Sequence, residues 1–197
     1  MFIAHIPAGY LAASWLHKRG AVAGGLFAAS IIGSVFPDID LLYFYLIDGK
    51  SHHHHSYWIH YPVLWLALST LSAAWYLISG RRTAALLALA FCANAFLHIM
   101  LDGIVGDIWL FAPWIDRHYA LATVSPGFSP WWLNFILHWS FLFELLITGL
   151  AAYIWTRRKN AAKPLFRTVK AAHKTFCRLK VRHPPIPCLK AASFLIE

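Results

Sequence analysis

Residues 37–60 read PDIDLLYFYLIDGKSHHHHSYWIH. Two aspartates two positions apart (Asp38, Asp40) and five histidines (His52, His53, His54, His55, His60) fall inside this stretch, while the whole chain of 197 residues holds only eight carboxylates. Carboxylate oxygen and imidazole nitrogen together form the ligand set of a hydrolytic metal site. The rest of the chain is mostly apolar, so the question is where its helices would carry these side chains.

Hydrophobic residues make up 59% of the chain and charged ones 13%, with a mean hydropathy of +0.56. A soluble domain carries about 25% charged residues, so this composition indicates an integral membrane protein. The formal charge of +9 is not spread over a globule, because 11 of the 17 lysines and arginines follow Trp155. Nucleic acid is therefore not the expected partner. Cys92, Cys177 and Cys188 show no paired spacing, which argues against a disulfide framework or a thiolate zinc site. The N-terminus lacks the basic region of a cleavable signal, so Met1 onward reads as mature chain.

Outward from the central stretch, the spacing predicts an all-α, polytopic transmembrane bundle of four or five spans over residues 1–156. Residues 1–17 are apolar but near the minimum length for a span. Residues 21–36 are uncharged and rich in small residues suited to close helix packing. Pro37 interrupts, Ile59–Ser79 reads as a span, and Arg81 and Arg82 lead into Thr83–Leu101. A connection rich in Gly and Pro covers 102–130, and Trp131–Trp155 reads as the last span. Lys18, Arg19, Arg81, Arg82 and the tail lie on one side if the spans alternate, with only Lys50 and Arg117 on the other. The positive-inside rule then makes the tail, 157–197, cytoplasmic in a bacterial inner membrane. Leu165, Val169, Ala172, Phe176 and Leu179 recur at helical steps opposite Lys170, Lys174, Arg178 and Lys180, as in a basic amphipathic helix lying on anionic lipid.

This topology places Asp38, Asp40, His55, His60, His98, Asp102 and His138 at one depth on the outer side, with His5 beside them if residues 1–17 span. Asp38 also suits the N-cap of a helix starting near Leu41. His98 and Asp102, four apart, lie one above the other on a helix face and suit two ligands of one metal, or a ligand and its supporting carboxylate. His52 to His54 read mainly as loop. Glu144, nearly half-way through the last span, could support the site, transfer a proton or lie on an ion path.

In this order the motifs resemble a bacterial family of LexA-regulated inner-membrane proteins described as membrane-bound metal-dependent hydrolases. The family pattern has an N-terminal histidine, then P-D-x-D, then H-R-x-x-T-H-S, then H-x-x-x-D on an apolar helix. His5, Pro37-Asp38-Ile39-Asp40, His55 with His60, and His98 with Asp102 take those places. Ser56, Ile59 and Tyr61 stand where the family has Arg, Thr and Ser. The resemblance covers residues 1–145 and implies a metal site more directly than a reaction.

The expected metal ligands are Asp38, Asp40, His55, His60, His98 and Asp102, with His5 as a seventh. That number allows two ions, and the mixed nitrogen and oxygen set favours Zn, Mn or Fe over Ca or Mg. The expected chemistry is metal-activated water attacking an ester or phosphoester, lipid-like because of the depth. The alternatives are a metal or proton transporter or sensor, and a non-catalytic protein with a structural metal.

Overall fold

The computed structural model describes residues 3–17, 23–130 and 132–180, with side chains described for 3–17, 24–130 and 132–161. The Lys18–Arg19 pair, Trp131, the apolar and basic faces of the tail helix and the HPPIP sequence at 183–187 lie outside these described side chains. The described residues are all-helical: α1 His5–His17, α2 Ala23–Gly33, α3 Asp40–Leu46, α4 Pro62–Ile78, α5 Arg82–Asp102, α6 Trp132–Ile136 and α7 Trp139–Lys180, with short 3-10 turns at Phe36–Ile39, His54–Ser56 and Trp58–His60. The only β feature among them is an isolated antiparallel bridge, Ile108 to Tyr119.

Among the described residues, two helices are long and apolar enough to cross a membrane: α5, and the Trp139–Ala161 part of α7. A third span results if Gly24–Gly33 and Phe36–Leu46, bent by 56°, count as one. The break falls where Pro37 was expected to interrupt, but helical structure resumes at once and takes Asp38 and Asp40 into it. The segment expected at 59–79 is shorter as a helix. Pro62, which has no N–H to leave unpaired, occupies the first turn of α4. Upstream of it the chain turns inward at Trp58–His60 rather than extending the helix.

The chain divides into two compact units, Met1–Ala151 and Ala152–Glu197. In the first, α5 packs against α4 and α2, and α2 against α1. Two glycines set these approaches. A Cβ on Gly9 would stand 2.6 Å from Ser34 Oγ and 2.8 Å from the Ser30 carbonyl, and one on Gly33 would run into the Phe91 carbonyl. Small residues at such crossings let backbones meet where lipid offers no hydrophobic gain. Phe36, just past the break, packs edge-on against Phe91 and Trp65. The Trp65 indole donates to the Ile59 carbonyl at 2.7 Å. The two ends of the aspartate and histidine stretch are thereby tied to one apolar cluster that includes Cys92, Ala95, Ile99 and Ile108. In the second unit, Arg157 lies over the Tyr153 ring and Lys159 over the Trp155 ring, as cations do at an aromatic belt.

Gly33→Ala forces the α2–α5 crossing apart, because the obstructing atom is backbone. The expected loss is about 3 kcal/mol of stability, read as a lowered midpoint in thermal unfolding of the detergent-solubilised protein. An unchanged midpoint would show that the crossing is not as close as described.

Candidate metal centre

α5 ends in the pair His98 and Asp102, and the local hydrogen bonds decide what each can do. The α2 helix ends at Gly33, which leaves late carbonyls without helical partners. One of them, on Ser34, accepts from His98 Nδ1 at 2.8 Å. A carbonyl only accepts, so Nδ1 carries a proton, and Nε2 is the nitrogen left to offer a lone pair to a metal. That Nε2 lies 3.0 Å from Asp102 Oδ2 and 3.4 Å from Asp38 Oδ1.

His60 repeats the arrangement. Its Nδ1 donates to Asp40 Oδ2 at 2.6 Å, which turns Nε2 toward Asp38 Oδ1, 3.8 Å away. Both Nε2 atoms are fully buried, and neither makes a hydrogen bond of acceptable geometry. Two lone pairs and two carboxylates thus face one small volume, their donor atoms all within 4.8 Å of one another. Acceptors gathered this way repel unless a cation lies among them. Four ligands at about 2.1 Å from one ion stand roughly 3.4 Å apart, inside the range seen here. The residues present therefore fit a divalent metal held by Asp38, His60, His98 and Asp102.

The other expected ligands gather around these four. His5 Nε2 is 3.2 Å from Asp102 Oδ1, and its ring stacks on His98 at 3.9 Å. His55 Nε2 is 3.9 Å from Asp102 Oδ2. Burial holds the His55 imidazole down to about 2 and that of His54 to about 4, so His55 stays in the neutral form a ligand needs. Asp40 takes a different place, behind His60. It is buried and orients the ring as a supporting carboxylate does. The capping role considered for Asp38 does not occur, since α3 has Ile39 at its cap position and no side-chain cap bond.

The remaining polar residues have structural partners. The His52 side chain hydrogen-bonds Asp48 at 2.8 Å and holds that carboxyl down to about 2. His53 accepts from the His55 amide, and His138 caps the start of α7 through Ser140. Glu144 accepts from the Ile3 amide at 2.7 Å, at the amino end of the helix that carries His5.

Three participants were not anticipated. The Ser34 carbonyl is backbone and leaves no side-chain signal. Gly106 has one in DGIVGD: its amide closes onto the Asp102 carbonyl at 2.6 Å, and a Cβ there would meet His55 Cε1 at 2.8 Å. Asp107, next to it, lines a cleft of about 490 Å³ that reaches Asp38, His55 and Asp102. Comparison with family models, curated proteins and solved structures finds no match for this chain.

Asp102→Ala and His98→Ala should lose bound metal, whereas Asp40→Asn should keep it with affinity lowered roughly 10- to 100-fold. Competitive chelator titration of the purified variants checks both expectations. Wild-type affinity in Asp40→Asn would deny the carboxylate its supporting role.

Proposed function

We propose that the chain is a polytopic membrane hydrolase whose divalent metal, zinc by its ligand set, is held by Asp38, His60, His98 and Asp102. The observation that carries this reading is the convergence of two oriented Nε2 atoms and two carboxylates on one volume beneath an open cleft. The resemblance to the LexA-regulated membrane hydrolases, noted from the same residues, supports it as well. Four or five spans follow if α4 and then α1 join the three segments long enough to cross. At 17 residues α4 extends about 26 Å, near the ~30 Å of a hydrocarbon core. The bias of basic residues puts the tail on the cytoplasmic side of a bacterial inner membrane and the centre on the opposite face.

A divalent ion at this centre would polarise the scissile oxygen and bring the pKa of a bound water toward ~7. The chain does the rest. Ser34 and Asp40 fix the two imidazoles, so the ligands need not reorganise on binding. Asp102 has a histidine near each carboxylate oxygen, His5 at Oδ1 and His98 at Oδ2, and is the residue able to bridge a second ion. Asp38, with 35% of its side chain exposed, is where the centre meets the cleft and its water. In the reaction, water adds its oxygen to the carbonyl carbon or phosphorus, the ester bond to the leaving oxygen breaks, and the water's proton ends on the leaving alcohol. The α5 end sets this chemistry at the edge of a candidate span, which makes a lipid-like ester or phosphoester the substrate class. Transport would require polar groups through the depth of the membrane, and Glu144 instead bonds the α1 backbone.

The test is metal analysis of the detergent-purified protein, followed by hydrolysis of ester and phosphodiester substrates before and after chelation. Activity should vanish on chelation, return with added Zn or Mn, and be absent in Asp102→Ala. Hydrolysis that survives in metal-free protein would overturn the assignment. A fall in unfolding temperature on chelation, with no hydrolysis of any substrate, would make the metal structural.

A further inference from the structure

The cleft above the centre has a one-sided charge distribution. Asp38, Asp102 and Asp107 all line it with the His53, His54 and His55 imidazoles, and among the described residues no lysine or arginine does. One divalent ion balances Asp38 and Asp102, which leaves Asp107. That carboxylate is half-buried and makes no hydrogen bond or ion pair with any described residue. Its electrostatic neighbour is His53, and burial holds that imidazole below its ordinary value and so toward the neutral form. A cation on the ligand would balance the half-buried carboxylate.

The rest of the lining is mixed: the imidazoles of His53, His54 and His55 share it with apolar Leu41, Val124 and Phe135. On the segments that carry Leu41 and Phe135, the side chains of Leu42, Leu46, Ile136 and Leu137 are exposed. A soluble anion would gain nothing from such surroundings. An amphiphile with its charged head inward would.

We propose that the cleft binds a zwitterionic amino-alcohol phosphodiester headgroup, its phosphate at the Asp38–His60–His98–Asp102 centre and its ammonium at Asp107. This deepens the reading of the site as a lipid-directed metal centre and rests on it. A phosphodiester with a neutral head, such as phosphoglycerol, would bring Asp107 no cation and add a negative charge to a cleft with no lysine or arginine in its described lining.

The test compares the metal-loaded, detergent-purified protein in mixed micelles of phosphatidylethanolamine or phosphatidylglycerol, with soluble glycerophosphoethanolamine as a third arm. Binding and hydrolysis are measured separately. Phosphatidylethanolamine should bind roughly fivefold more tightly than phosphatidylglycerol, the ratio given by one partly exposed ion pair. Asp107→Asn should remove that preference and Asp107→Lys reverse it, each with wild-type metal content. Equal affinities in the wild type, or a preference that persists in Asp107→Asn, would overturn the proposal even if both lipids are hydrolysed. The expected preference in binding with no turnover would uphold it and sink the hydrolase reading. Soluble glycerophosphoethanolamine bound as tightly as the lipid would show that the head alone is recognised and that the apolar side chains have no part. Loss of metal in Asp107→Asn would place the residue in the centre itself and overturn its role as an ammonium site.

Discussion

At the crossing of α2 and α5, Gly33 lies so close to the Phe91 carbonyl that no Cβ fits between them. The same contact brings the carbonyl of the next residue, Ser34, to 2.8 Å from His98 Nδ1. Helix packing and ligand orientation are therefore one event. If the helices separated by even an ångström, the carbonyl would lose its donor and the ring its fixed tautomer. The imidazole would then be free to turn from Asp38 and Asp102. Small residues at a membrane helix crossing are usually discussed as packing devices. Here the close approach also decides which nitrogen of a buried histidine presents its lone pair.

The centre is assembled against electrostatic resistance. Asp102 is 3% exposed, His60 and His98 not at all, and Asp40 only 8%. Burying carboxylates and imidazoles costs several kcal/mol per uncompensated charge, and the outer partners do not discharge that cost, because they leave both Nε2 atoms facing oxygen. A divalent ion is the species that turns these facing acceptors into ligands, so binding energy and folding energy are linked at this point. Asp40 and Ser34 act before any ion arrives, since each donor they accept fixes a ring in the orientation the ion requires.

Much of this was legible in residue type and order. The i, i+4 relation of His98 and Asp102, the small residues of 21–36 and the convergence of distant polar residues follow from spacing and hydropathy alone. The division of labour between Asp38 and Asp40 does not. A D-x-D pair in an extended turn would aim both carboxylates at one place, whereas the 3-10 turn at Phe36–Ile39 followed by α3 rotates them apart, one to the centre and one to the back of His60. The length of the third segment was also hidden. Ile59–Ser79 carries no charged residue and is mostly apolar, and hydropathy cannot tell a helix residue from one in a buried turn, so only Pro62 marked the true start. Asp107 was passed over because an aspartate in a loop usually needs no explanation. It becomes informative once the cleft beside it is seen to have no lysine or arginine in its described lining.

Glu144 shows how far the constraint extends. Expected nearly half-way through the last span, it lies in the second turn of α7. A carboxylate in an apolar helix is expensive, and its hydrogen bond to the Ile3 amide sets it at the amino end of α1. Free amides and the helix dipole make that end a natural site for a negative charge. α1 is only 13 residues long and packs closely on α2 at Gly9. It delivers His5 to Asp102 Oδ1 and stacks it on His98. The carboxylate on α7 adds a second constraint, holding the start of the short helix through the Ile3 amide. Glu144 thus holds the amino end of α1 by a hydrogen bond to its carboxylate, two residues before the histidine that α1 delivers.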